Sequence, residues 1–369
     1  VHPVHVEAVA NVVGRAELMA AAGYAVALVC ALRAQSRPVY LIGVAAGAAF
    51  GIASKELVAT LPASVLLLYA WKRADMRMGW KAAAVAAIPI GAYYVLHEWI
   101  GAGLLTSGGT AAGLERLGMV SRAWAMVPLT LQWWRLLLFP AHLSADYSPA
   151  ELTVSTGLTL GHVLALCVWA LAGLLAWRTR HAIPGIALGL LWLIITVAPV
   201  SNVLLPTELL IAERTLYLPS FGIVFALASI GVALPWPARV RVGLLAFVLT
   251  LGIARSVARI PAWHDDDMHF EALKREAPHS YRTLWLEGND EFARGQWGSG
   301  ERFLQAAITA APVIAGPRYD LARFYMKARL WQPAIRELQA AITVDSAFTP
   351  ARDALRDAED SARQDRRRP

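Results

Sequence analysis

The chain has 369 residues, 57% of them hydrophobic and 17% charged, with a formal net charge of +7. Its mean hydropathy is +0.46. So many apolar side chains can be neither left in water nor packed into one core, which excludes an ordinary soluble domain and places the polypeptide in a bilayer.

The opening stretch H-P-V-H-V-E-A-V-A-N-V-V-G-R-A-E-L carries Glu7, Asn11 and Arg15 at four-residue steps, hence on one helix face, with His2 and His5 at its mouth. Such a stripe either lines a bundle interior or meets lipid head groups. Because ionisable groups at membrane depth are costly, it is also a candidate binding surface. The spacing is not that of an H-E-x-x-H zinc site, and no metal is expected. With Val1 first and no signal-peptide pattern, the chain reads as amino-terminally truncated.

Apolar runs suited to cross a bilayer as helices follow at 17–33, 38–53, 57–71, 82–99, 158–176, 182–200, 217–234 and 240–256. Arg33 and Arg37, then Lys72, Arg73, Arg77 and Lys81, then Arg178 and Arg180, then Arg239 and Arg241 make every second connection basic. The positive-inside rule puts those connections in the cytoplasm, so the opening and everything after 256 lie outside. That requires 124–139, broken by Gln132, Trp133, Trp134 and Arg135, to lie in the interface rather than cross. Cys30 and Cys167 fall inside runs and read as small packing residues. Gly43 with Gly47, and Gly185 with Gly189, have the spacing of close helix contacts. No phosphate-binding glycine motif is present.

Polar residues gather on the predicted outer side, in 1–16, 100–157 and 200–216. Lys55 and Glu56 separate two runs; Lys55 either meets an anionic phosphate or snorkels to water, and on a helix the two side chains would diverge. In F-P-A-H-L-S-A-D-Y-S-P, Asp146 and Tyr147 either bond a polar ligand or stabilise a turn. In A-E-R-T-L-Y-L-P-S-F-G, Glu213 and Tyr217 share a face, and the fork of donors on Arg214 suits a phosphate unless it pairs with a glutamate. Asp265, Asp266 and Asp267 read as a helix start rather than a metal site.

Beyond a linker at 257–277, the hexamer LQAAIT occurs at 304–309 and again at 338–343, with Trp297 and Trp331 at the same 34-residue offset. This is the period and pattern of tetratricopeptide repeats, placed at about 281–314 and 315–348 within a unit of 278–360 that a last helix caps. The basic tail 361–369 reads as disordered, and nucleic acid is not an expected partner.

These motifs in this order, followed by the repeats, resemble the transmembrane and tetratricopeptide repeat family of protein O-mannosyltransferase-like enzymes. The likeness covers His2 to about Asp357. It implies an all-α fold: a polytopic bundle of the GT-C glycosyltransferase type over 1–256, with about eight spans retained, then an α-solenoid. It also implies transfer of a sugar, typically mannose, from a polyprenyl-phosphate carrier to a protein or glycan hydroxyl outside the membrane. By resemblance His5, Glu7 and Arg15 line the outer cavity. Lys55, Glu56 and Arg214 lie near the carrier phosphate, and Asp146, Tyr147, Glu213 and Tyr217 frame donor or acceptor. The family's acidic Asp pair lies upstream of residue 1, so the catalytic residue is not in this chain. Beyond the lipid-linked donor no cofactor is expected. The repeats are expected to hold a protein partner or acceptor on the periplasmic side of a bacterial inner membrane. A non-catalytic membrane scaffold and a lipid-linked glycan transporter or polymerase are the alternatives.

Overall fold

The computed structural model describes residues 1–100, 110–204 and 206–367. Among them the regular elements are all helical. The chain divides into two compact units, one of 1–110, 117–143 and 154–268, the other of 111–116, 144–153 and 269–369.

In the first unit α1 (His5–Ala10) turns tightly into α2 (Arg15–Ala34), and α3 (Tyr40–Ser54) leads through a 3-10 turn, Glu56–Thr60, into α4 (Leu61–Trp71) and α5 (Met76–Trp99). Then come α6 (Met119–Met126), α7 (Thr130–Leu138), α8 (Leu160–Thr179) and α9 (Pro184–Val197). After a 3-10 turn at Glu213–Leu216 follow α10 (Tyr217–Ala233) and α11 (Ala238–Arg259). All eight apolar runs are helical. Among the described residues five helices are long and apolar enough to cross a membrane: Arg15–Ala34, Met76–Trp99, Leu160–Thr179, Glu213–Ala233 and Ala238–Trp263. The other three runs form shorter apolar helices, Tyr40–Ser54, Glu56–Trp71 and Pro184–Val200. The protein is thus a polytopic, integral membrane protein. The stretch 124–139 holds the end of α6 and the whole of α7, helices of 8 and 9 residues separated around Pro128, each far short of the roughly 20 residues a crossing needs. Part of the loop expected at 100–157, residues 101–109, lies outside the described residues.

Glycine sets how closely these helices approach. A Cβ on Gly47 would stand 2.7 Å from the Gly23 carbonyl oxygen, and one on Gly23 2.6 Å from that of Gly47, so α2 and α3 touch backbone to backbone. Gly189 and Gly222 make the same contact between α9 and α10. Around α2 and α3 pack Tyr24, Ile52, Leu61, Val65 and Tyr69, all buried. The phenols among them are satisfied: Tyr24 donates to Ser64 Oγ at 2.5 Å and Tyr69 to the Ala31 carbonyl at 2.5 Å, as burial demands. Outward, α11 is clad in exposed Val242, Phe247 and Leu251, a surface suited to acyl chains rather than water.

The stretch expected as a linker is largely helical: α11 continues to Arg259, a 3-10 turn covers Ile260–Trp263, and α12 spans Asp266–Glu276. Asp265 accepts the Met268 backbone N–H at 2.8 Å, the capping role expected of this acidic run.

The second unit is repeat-like. It pairs α13 (Tyr281–Ala293) with α14 (Trp297–Ala310), and α15 (Ala315–Lys327) with α16 (Trp331–Val344), before α17 (Thr349–Arg367). The two copies of LQAAIT perform the same task. Leu304 and Leu338, and Ala307 and Ala341, are all fully buried, and Thr309 and Thr343 each donate to the carbonyl four residues back. Leu304 packs with Phe292 and Leu321, whereas Leu338 packs with Ala322, Ala351 and Ala358. Trp285 Nε1 and Asn289 Nδ2 both donate to Asp320, at 2.7 and 3.0 Å, joining α13 to α15. The tail expected to be disordered is helical as far as Arg367, because Ala351, Ala358 and Ala362 bury one face of α17 while Arg363 pairs with Glu359 and Asp360 on the other. Arg368 and Pro369 lie outside the described residues.

Replacing Leu338 with Ala removes a fully buried side chain from this stack. The expected cost is about 3 kcal/mol, read as faster amide exchange across 315–367 with protection of α2 and α3 unchanged.

Candidate functional site

Gly14 is where the site begins. A Cβ there would lie 2.5 Å from the Glu7 carbonyl oxygen and 2.8 Å from the Ala8 Cα, so only glycine lets α1 fold back over the start of α2. The turn puts Glu7, 4% exposed, under the 3-10 turn that precedes α10. There Glu7 Oε2 accepts the Arg214 backbone N–H at 2.9 Å, and Oε1 accepts from the Arg214 guanidinium. Two donors on one carboxylate make a charge-assisted clamp across 207 positions of sequence.

The loop carrying Arg214 is itself built. Buried Asn202 adopts a left-handed φ of 58°, a region asparagine tolerates better than most residues. Its Oδ1 accepts from the Thr207 backbone and hydroxyl at 2.7 and 3.1 Å, and its Nδ2 donates to the Leu209 carbonyl at 2.8 Å. From α6, Arg122 Nε donates to the Asn202 carbonyl at 2.6 Å. Next to the clamp, Arg259 at the end of α11 lies 4.0 Å from Glu213; both are buried, and the Arg259 guanidinium is 5.8 Å from the centre of the Trp263 ring.

His5 rests 4.6 Å, ring centre to ring centre, from Tyr217. Ser220 Oγ donates its one proton to the Tyr217 carbonyl at 2.6 Å, so at its other contact, 2.8 Å, it accepts from His5 Nε2. His2 Nε2 donates to the Leu137 carbonyl at 3.0 Å. Burial, with His2 nearby, pushes His5 down to about 3, and burial lowers His2 as well.

Lys55 and Glu56 pair at 2.9 Å. The divergence expected on a helix does not apply, because Lys55 is extended (φ −158°, ψ 138°) between α3 and the 3-10 turn. Arg15 is exposed. Asp146 and Tyr147 belong to the second unit, whereas Glu7 and Arg214 belong to the first. There the Asp146 carboxylate accepts from Ser280 Oγ and from the Arg282 guanidinium, while Tyr147 Oη accepts the Ser144 N–H at 3.1 Å. With Ala145 N–H bonded to Glu276 and His279 N–H to Glu151, the segment 144–153 is fastened to the start of α13.

Sequence reasoning missed Glu17. It is 2% exposed, and both its carboxylate oxygens are buried without a hydrogen-bond partner. The charges that act on it are those of Lys55, Glu56, Arg214 and Glu7. The available signal was an acidic residue inside the first apolar run. Arg259 and Asn202 were also missed; only the fold brings them to Glu213 and Thr207. Among the described residues no group of three or more His, Cys, Asp or Glu is arranged to hold a metal ion. The chain matches no protein-family model, no curated protein and no solved structure.

Two outcomes follow. Removing one partner of a buried pair strands the other, so Arg214→Ala should cost about 3 kcal/mol, the low end for such pairs because Arg214 is 24% exposed. Adding Glu7→Ala to it should cost less than the sum of the two single changes in thermal unfolding in detergent. Secondly, His5 stays neutral in the fold down to about pH 3, whereas in the unfolded chain it takes up a proton below about pH 6.5. Its contribution is complete above that pH and is lost as pH falls from about 6.5 toward 3, and His2, also lowered by burial, acts in the same direction. The melting temperature should decline between pH 7 and 5, and His5→Gln, which retains a donor for Ser220, should flatten that decline.

Proposed function

We propose that this chain is a membrane scaffold whose tetratricopeptide-like repeats dock a protein partner outside the bilayer. The observation that carries the reading is the duplicated two-helix unit, in which both LQAAIT segments bury the same positions and α17 closes the stack. Stacked helix pairs of this kind present extended surfaces for protein contact. The alternating basic connections support a periplasmic location for the repeats in a bacterial inner membrane. A photoreactive residue at Arg323 or Lys327, both exposed on α15, should yield one protein adduct of defined mass in native membranes. Deleting 281–344 should abolish co-purification of the same protein; adducts to lipid alone would sink the reading.

A second reading is favoured by the Glu7–Arg214 clamp beside buried Glu17, because ionisable groups at membrane depth commonly mark substrate sites. It is a GT-C-type transferase passing a sugar such as mannose from a polyprenyl phosphate to a hydroxyl. Arg214 and Lys55 would stabilise the departing phosphate. Here Glu7 holds Arg214 in place, so both Glu7→Gln and Arg214→Ala should abolish labelled-sugar transfer from a defined polyprenyl-phosphate donor. Unchanged transfer in either variant rejects this reading and leaves the scaffold untouched.

A further inference from the structure

Two arginines of the first unit meet at one turn with no carboxylate to neutralise either. From α7, Arg135 donates through Nε to Gln132 Oε1 at 2.7 Å and through a terminal nitrogen to the His142 carbonyl at 2.5 Å. From the end of α11, Arg255 Nε donates to the Ala141 carbonyl at 3.0 Å. Bonding to consecutive carbonyls holds these two nitrogens within roughly 10 Å of one another. The first two residues bridge the same helices: His2 bonds the Leu137 carbonyl on α7, and the Val1 carbonyl accepts from Ser256, the neighbour of Arg255 on α11.

All the acceptors are neutral, and among the described residues neither guanidinium has an acidic partner. One terminal nitrogen of Arg135 and both of Arg255 make no hydrogen bond, and none of the three is buried. Arg214, by contrast, is held by Glu7. Two positive charges and free forks of N–H donors are the chemistry that receives phosphate oxygens.

Depth in the bilayer decides which phosphate is at hand. Arg239 and Arg255 stand about 24 Å apart along the axis of α11. A hydrocarbon core is about 30 Å thick and arginine stems reach past their own backbone toward water, so the two lie at opposite head-group layers. On the Arg255 face of α11, toward the core, are exposed Val248 and Leu251; just after Arg135 come exposed Leu138 and Phe139.

We propose that Arg135 and Arg255 bind the phosphate of an anionic phospholipid, whose acyl chains lie against Leu138, Phe139, Val248 and Leu251. Net charge selects the head group. A zwitterionic lipid would bring an ammonium to a place with two cations and no carboxylate, and a free phosphate lacks the hydrocarbon that covers the flanking apolar side chains. The inference is independent of both readings above, which use neither arginine.

The full chain in maltoside detergent, titrated with phosphatidylglycerol, phosphatidylethanolamine, phosphatidylcholine and inorganic phosphate, tests it by native mass spectrometry and thermal shift. An arginine beside anionic lipid is worth about fivefold in affinity, so phosphatidylglycerol should bind at least about tenfold more tightly than the other three. Arg135→Gln combined with Arg255→Gln should erase that preference. Because both arginines also fasten the turn at 141–142, Gln132→Glu separates charge from structure. It keeps the acceptor of Arg135 Nε, so the lipid-free melting temperature should hold or rise, while the new carboxylate should weaken phosphatidylglycerol binding about fivefold. Arg352→Gln, the same change of charge at an exposed position of α17, should leave the preference intact. Equal affinity for the three lipids, inorganic phosphate binding as tightly as phosphatidylglycerol, a preference that survives the double change or Gln132→Glu undiminished, or one lost in Arg352→Gln would each overturn the proposal.

Discussion

A carboxylate removed from water must find donors inside the protein, and Glu7 finds two on one residue, the backbone N–H and the guanidinium of Arg214. Much of the first unit's site depends on that clamp. It ties α1 to the turn before α10, and the same turn brings Glu213 beside Arg259 at the end of α11. An exposed ion pair contributes at most about 1 kcal/mol, but breaking a buried one strands a charge in low dielectric. The clamp therefore specifies one arrangement of these segments more than it adds net stability. Gly14 makes it possible, since a side chain there would displace the backbone of Glu7 and Ala8.

Helix identity was legible because the bilayer imposes a simple rule: backbone polar groups must be paired within the segment, so a long apolar run becomes a helix. Every one of the eight runs did so. Length was less legible. The run at 38–53 is a 15-residue helix, and 57–71 opens with a 3-10 turn, because Pro62 and the extended Lys55 alter the backbone at its start. Pro128 likewise divides 124–139, where composition alone displayed one apolar stretch. The repeat-like unit was legible from an identical hexamer whose leucines and alanines do face the core.

The site was legible only in part, for a physical reason. Glu7, Arg214, His5 and Tyr217 stood out as polar groups in apolar surroundings, and the fold gathers them. Their pairing could not be read, because the partners lie 207 positions apart and helix periodicity reports only local faces. Asp146 and Tyr147 looked similar by composition, yet Asp146 is engaged by Ser280 and Arg282 in the other unit. A polar residue in an outer loop is ambiguous between ligand contact and loop anchoring until its donors are known. Glu17 shows the reverse case: it attracted no notice in sequence, and its lack of donors is visible only once the surrounding helices are in place.

The pairing state of Arg214 bears on what this membrane unit can bind. A guanidinium has five N–H donors, and Glu7 uses one nitrogen of it while also taking the backbone N–H. Donors remain for an anion, but its charge does not, because Glu7 already neutralises it. An anion at this position would thus meet hydrogen bonds with little net electrostatic attraction, and would compete with Glu7 for the same cation. A phosphate gains the full charge of Arg214 only if Glu7 turns away from it. Tight binding of a bare phosphate would therefore require the α1 clamp to open, which links occupancy of the cluster to the position of α1 and, through Gly14, to the start of α2.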